Sequence, residues 1–115
     1  MLFKFPKDDN NFSWTSHVKN KMLHYRLSEQ KIRTILRSND RKESGIAPQT
    51  LAVMKRNDTP KRKEELWVMY TENRNDKLRT RKIRIISAWR YPGISPKGKQ
   101  IPIPEDVLSE LEKIL

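Results

Sequence analysis

Apolar positions keep a helical period in the first third of the chain and a strand period after it. Trp14, Val18, Met22 and Tyr25 recur at one-turn spacings and predict a helix opening at Ser13 or Thr15, both good N-caps. Leu27-Ser28 predicts a second helix. Ser28 caps it, Glu29 sits at the positive end of its dipole, and Leu27 faces Ile32 as a hydrophobic staple. Ile32, Ile35 and Leu36 form its apolar side, and the helix is expected to fray by Ser38-Asn39-Asp40. The two helices are joined by almost no loop, which predicts a helix hairpin. Residues 1–12 read as a polar lead-in, and 13–115 as one domain.

From residue 41 the period changes. "TLAVM" (50–54), "ELWVMYT" (65–71) and "KIRIISAW" (82–89) are short β-branched or aromatic runs, and "RKESGI" (41–46) is a weaker edge candidate. Connections of about ten residues suit antiparallel neighbours and leave no room for a crossover helix. The segment 91–104 holds four of the seven prolines and two of the three glycines, so it reads as an irregular strap. A last helix follows, with Pro104 at its start, Glu105 and Asp106 in its first turn, and Val107, Leu108, Leu111 and Ile114 on one side. The prediction is α+β: a helix hairpin on a three- to four-stranded antiparallel sheet, with a C-terminal helix.

Strand alternation places Ile83, Ile85, Ser87 and Trp89 on one face, and Lys82, Arg84, Ile86, Ala88 and Arg90 on the other. Trp67 and Met69 likewise alternate with Leu66, Val68 and Tyr70, so both faces need cover. The helix hairpin is expected on the first face and the C-terminal helix on the second, leaving a cleft floored by Arg84, Ile86 and Arg90.

Charge then narrows the function. Twenty-five Lys and Arg against 14 Asp and Glu give a net +11, which points to a polyanionic partner. Residues 55–63 hold five basic residues and one acid, and residues 74–84 six and one, whereas the C-terminal helix is acidic. Lys61, Arg62, Lys63, Arg79, Arg81 and Lys82 are therefore the expected contacts to a polyanion, a nucleic acid or an anionic membrane surface, and to RNA on the resemblance described below. There is no cysteine, so no disulfide or thiolate site, and two histidines are too few for an ordinary zinc site. No phosphate loop, dinucleotide fingerprint or nucleophile elbow occurs, and no cofactor is expected. With no secretory signal and no run of about 20 apolar residues, the expected location is the cytoplasm, without a membrane partner.

The stretch "WTSHVKNKMLHYRLSEQKI", with His17, Lys21, Met22, Leu27 and Ser28, resembles the opening of a family of small bacterial proteins. "IRIISAWR" (Ile83 to Arg90) resembles the corresponding strand of the BrnT toxins. Both are similar to the RelE/HigB superfamily, endoribonucleases on a compact α+β fold. The resemblance covers about residues 14–90. It implies a RelE-like fold, an RNA substrate on or off the ribosome, cleavage without a metal, and an acidic antitoxin partner. Where BrnT-like strands carry a basic residue this chain has Trp89, with Arg90 next to it.

Cleaving RNA without a metal requires a base for the 2′-OH, cations for the phosphorane and an acid for the leaving oxygen. Arg84 and Arg90 are the expected cations, His17 and Tyr91 the expected proton carriers, and Tyr91 also a stacking platform. Two other readings fit the same residues. One is a non-catalytic RNA- or ribosome-binding protein on this fold; the other is an interaction module whose basic face receives an acidic protein.

Overall fold

Thr15 ends one element and starts the next. Its N–H donates to Ile85 O and its hydroxyl to Ile86 O, while the same Oγ1 caps a helix by accepting from Val18 N–H at 3.0 Å. Around this joint the computed structural model describes residues 3–114, and the outer ends of the expected lead-in and domain lie outside them. The order is β1 (Phe12–Trp14), α1 (Ser16–Tyr25), α2 (Glu29–Arg37), β2 (Arg41–Ser44), β3 (Thr50–Arg56), β4 (Glu64–Asn75), β5 (Thr80–Pro92) and α3 (Glu105–Ile114).

The protein is α+β, and its sheet differs from the expected one. Five strands run in the order β1-β5-β4-β3-β2, with β1 parallel to β5 and the other pairs antiparallel, so the sheet is mixed. The added strand lies where the lead-in meets the predicted helix. Asp9 accepts from the N–H groups of Asn11 and Phe12, Asp8 accepts from Trp14 N–H, and Trp14 belongs to β1 rather than to α1. The predicted hairpin is also corrected: the helices contact the sheet rather than pair with each other, α1 along β5 and α2 over β3 and β4. The predicted cap and staple are present. Ser28 Oγ accepts from Lys31 N–H at 3.1 Å, and Leu27 and Ile32 are fully buried.

Two cores sandwich the sheet. Val18, Met22, Leu27, Ile32 and Ile35 pack on Leu66, Val68, Tyr70, Ile83, Ile85 and Ala88. On the opposite face Ala52, Met54, Trp67, Met69, Ile86 and Trp89 pack under Ile101 of the strap and Val107 and Leu111 of α3. Trp67 and Trp89 stack at 6.3 Å, and Trp89 Nε1 donates to Pro102 O at 2.8 Å, fastening the strap.

The expected parity of β5 holds only as far as Ile85. Tyr70 pairs with Ile85 and Met69 with Ser87, so Ile86 is an extra residue in a β-bulge. Beyond it every side chain changes face. Ser87 and Trp89 join Ile86 on the α3 side, and Ala88 and Arg90 turn to the α1 side.

Candidate nucleic-acid interface

β4 and β5 outrun their neighbours. β3 last pairs at Thr50 with Thr71, and β1 first pairs at Phe12 with Ile83. Beyond these points a two-stranded ribbon projects by roughly 15 Å, at about 3.3 Å per residue. Its register sorts side chains by sign. Thr71/Arg84, Asn73/Lys82 and Asn75/Thr80 are cross-strand pairs on the α3 side, with cations and hydrogen-bonding groups but no carboxylate. On the reverse side Glu72 takes Arg81 Nε at 2.7 Å and Arg74 Nε at 3.4 Å on the same oxygen. Glu72 is thus spent on one face and Asp76 sits in the turn at the tip, while Lys82 and Arg84 on the other face make no ion pair among the described residues.

The free face leads into a groove at the ribbon's base. Arg84 and Thr71 share a cavity of about 380 Å³ with Thr15, Ser16, His17, Ile86 and Ile114. A second hollow continues past Lys82 and Asn73 along residues 8–13, where Asp8 accepts from Trp14 N–H and Asp9 pairs with Arg33, and a third runs beside Asp76, Lys77 and Leu78 at the tip. The groove adjoins the N-terminus of α1, which has no acidic residue in its first turn to oppose an anion.

His17 sits in the groove wall with both ring nitrogens engaged. Nε2 lies 2.7 Å from Ser87 Oγ and Nδ1 3.3 Å from Glu110 Oε2. With the proton on Nδ1, on the side of the Glu110 carboxylate, Nε2 accepts from the Ser87 hydroxyl. Burial pushes the imidazole below its ordinary range, with Glu110 pulling the other way and Lys21 adding to the fall. The contacts resemble a serine–histidine–acid relay, yet Ser87 is fully buried, so no substrate reaches its hydroxyl. The relay joins α1 to β5 and α3.

Lys21 and Tyr25 extend that joint, one and two turns beyond His17. Lys21 Nζ lies 2.7 Å from Glu110 Oε2 and 2.9 Å from Asp106 Oδ2, and Tyr25 Oη donates to Asp106 Oδ1 at 2.8 Å. Lys21 holds the Glu110 carboxyl below the usual range. Burial and Asp106 together push the Tyr25 hydroxyl up.

The expected catalytic set is divided. Arg84 and His17 share the groove, whereas Arg90 lies about 20 Å along β5 from Arg84 and on the opposite face. Arg90 donates to Tyr25 O at 2.6 Å, to Arg26 O at 3.3 Å and to Glu64 Oε1 at 2.6 Å, closing the C-terminal end of α1. Tyr91 is half-buried against the α3 core. No cleft floored by Arg84, Ile86 and Arg90 forms.

The expected RNA contacts divide as well. Arg79, Arg81 and Lys82 are on the ribbon, but Arg81 faces Glu72. Lys61, Arg62 and Lys63 occupy the β3–β4 turn, at the far end of β4, roughly 36 Å away. All three are exposed; Arg62 lies 3.1 Å from Glu64 and Lys63 4.0 Å from Asp58, and Lys61 makes no ion pair among the described residues.

One charged cluster had no forecast. Glu65, fully buried, accepts from Ser95 N–H at 2.8 Å, Ser95 Oγ at 2.7 Å, Trp67 Nε1 at 3.0 Å and Arg56 Nη1 at 3.0 Å, with Arg41 Nη1 at 3.8 Å. Arg41 lies over the Trp67 ring at 5.1 Å and donates to Ser95 O, so the cluster seats the strap on the sheet.

Comparison with protein-family models, with curated proteins and with solved structures finds no match for this chain. Among the described residues no helix is long and apolar enough to cross a membrane.

Proposed function

We propose that this protein binds RNA through the α3-side face of the β4–β5 ribbon, whose cross-strand pairs carry no carboxylate, and through the Arg84 groove at its base, and acts as a non-catalytic RNA- or ribosome-binding protein of the cytoplasm. The observation that carries this is the sorting of charge across the ribbon: Glu72 neutralises Arg81 and Arg74, leaving Lys82 and Arg84 beside Thr71 and Asn73. Cations there supply attraction to phosphate, and the hydroxyls and amides supply hydrogen bonds to sugar and base edges. Binding is favoured over cleavage because Arg84, the free cation in the groove, has beside it a histidine with both nitrogens committed, and because Arg90 and Tyr91 stand elsewhere.

The test is labelled RNA titrated with pure protein in EDTA over a range of salt. Affinity should fall with a log–log slope of about 0.7 to 0.9 per phosphate contacted, and the RNA should be recovered intact. An affinity indifferent to salt would sink the proposal. Cleavage in EDTA would restore the toxin-like endoribonuclease reading suggested by the sequence resemblance.

A further inference from the structure

The ribbon's tip departs from folding economy at two adjacent residues. Leu78 is 70% exposed, at the end of an arm that offers it no core. Arg79 holds a φ of 52°, the left-handed region where a hairpin turn ordinarily employs glycine or asparagine. Neither choice helps the turn, which is closed by Asn75 Oδ1 accepting from Leu78 N–H at 3.3 Å. Lys77 and Arg79 flank the leucine, so an apolar point is carried between two cations. Such an arrangement suits a side chain driven by phosphate attraction toward stacked bases, where apolar wedges part a base step.

The face behind the tip indicates which nucleic acid. A two-stranded ribbon with its side chains is about 10 Å across, a width that the major groove of B-form DNA at about 12 Å also admits, so the side-chain chemistry rather than the width selects the partner. The minor groove of A-form RNA is wide, shallow and edged with 2′-hydroxyls. Asn73, Asn75, Thr71 and Thr80 each both donate and accept, as a 2′-hydroxyl does, and Lys82 and Arg84 lie among them for the phosphates. Resting on the RNA-binding reading above, we infer that the ribbon is a docking arm for double-stranded RNA, laid along the minor groove with Leu78 wedged against a base step.

The test compares a short RNA duplex, the DNA duplex of matching sequence and one RNA strand alone, with 2-aminopurine placed at successive steps of the RNA duplex. Wild-type protein should prefer the RNA duplex by about 10-fold or more and raise the fluorescence of one step by unstacking it. Leu78→Ala should weaken duplex binding by about 10-fold, the scale of one buried leucine, abolish the fluorescence rise and leave the salt slope unchanged. Leu78 has no core contacts to lose, and an unchanged circular dichroism spectrum checks that the variant is folded. Equal or tighter binding of single-stranded RNA or of the DNA duplex overturns the inference while leaving RNA binding intact. Wild-type affinity in Leu78→Ala overturns the wedge. If no RNA form binds, the broader reading falls, and this one with it.

Discussion

Arg84 and Arg90 point to opposite faces of one strand, although their even spacing would place them together on a regular one. The bulged residue Ile86 lies between them and reverses the alternation. One arginine is left free at the ribbon's base, and the other becomes a clamp on the end of α1 and on Glu64.

Arg90→Ala should therefore be a stability variant. It removes a charge-assisted bond to the buried Glu64 and two bonds to helix-end carbonyls, and should cost about 2–3 kcal/mol in urea unfolding. RNA affinity of the folded variant should stay at the wild-type value. A loss of binding without a loss of stability would contradict the assignment.

Glu65→Ala strips Arg56 and Trp67 of a buried acceptor and the strap of its anchor, while Arg41 keeps Glu43 at 2.6 Å. Removing one member of a buried ion cluster typically costs about 3–5 kcal/mol, and chemical denaturation should show a loss of that size. The double change Glu65→Leu with Arg56→Met should recover most of it, since the donor to Glu65 leaves with it, Arg41 keeps Glu43, and the freed Asp58 is exposed. Equal losses in both variants would show that packing, rather than charge, governs this corner.

His17 makes stability depend on pH in a stated direction. Burial holds the folded imidazole below its unfolded value of about 6.5, so in that range the unfolded chain binds the extra proton. The His17 contribution is complete above pH 6.5 and is lost progressively as pH falls through the folded value. Melting temperature should drop between pH 7.5 and 5.5, and His17→Gln should flatten that slope. A His17→Gln profile as steep as the wild type would place the proton elsewhere.

Much of the fold is readable in the chain because local signals agree there. Ser28 and Thr15 are caps, Leu27 and Ile32 a staple, and the β-branched runs mark the centres of β3, β4 and β5. The bulge is not readable: in "RIISAW" apolar residues occupy both parities, so no polar beat marks where the alternation reverses. β1 is hidden for another reason. Three residues gain a strand only by pairing with β5, about seventy positions away, and Trp14 fits the α1 stripe equally well. The ribbon extends β4 and β5 beyond their apolar centres, where exposed Asn, Thr and Arg carry no burial signal. The basic run at 74–84 located the candidate interface, but only the register separates Lys82 and Arg84 from Arg74 and Arg81.

That separation is the central claim, and two double variants of equal charge test it. Lys82→Ala with Arg84→Ala and Arg74→Ala with Arg81→Ala each remove two cations from one ribbon, from opposite faces. Measured side by side by anisotropy on the same RNA across a salt series, the first should lose about 10-fold or more in affinity and flatten the slope by roughly 1.4 to 1.8. The second should stay within a few-fold of wild type. Equal losses in the two variants would mean that net charge alone drives binding, and would contradict a one-faced interface.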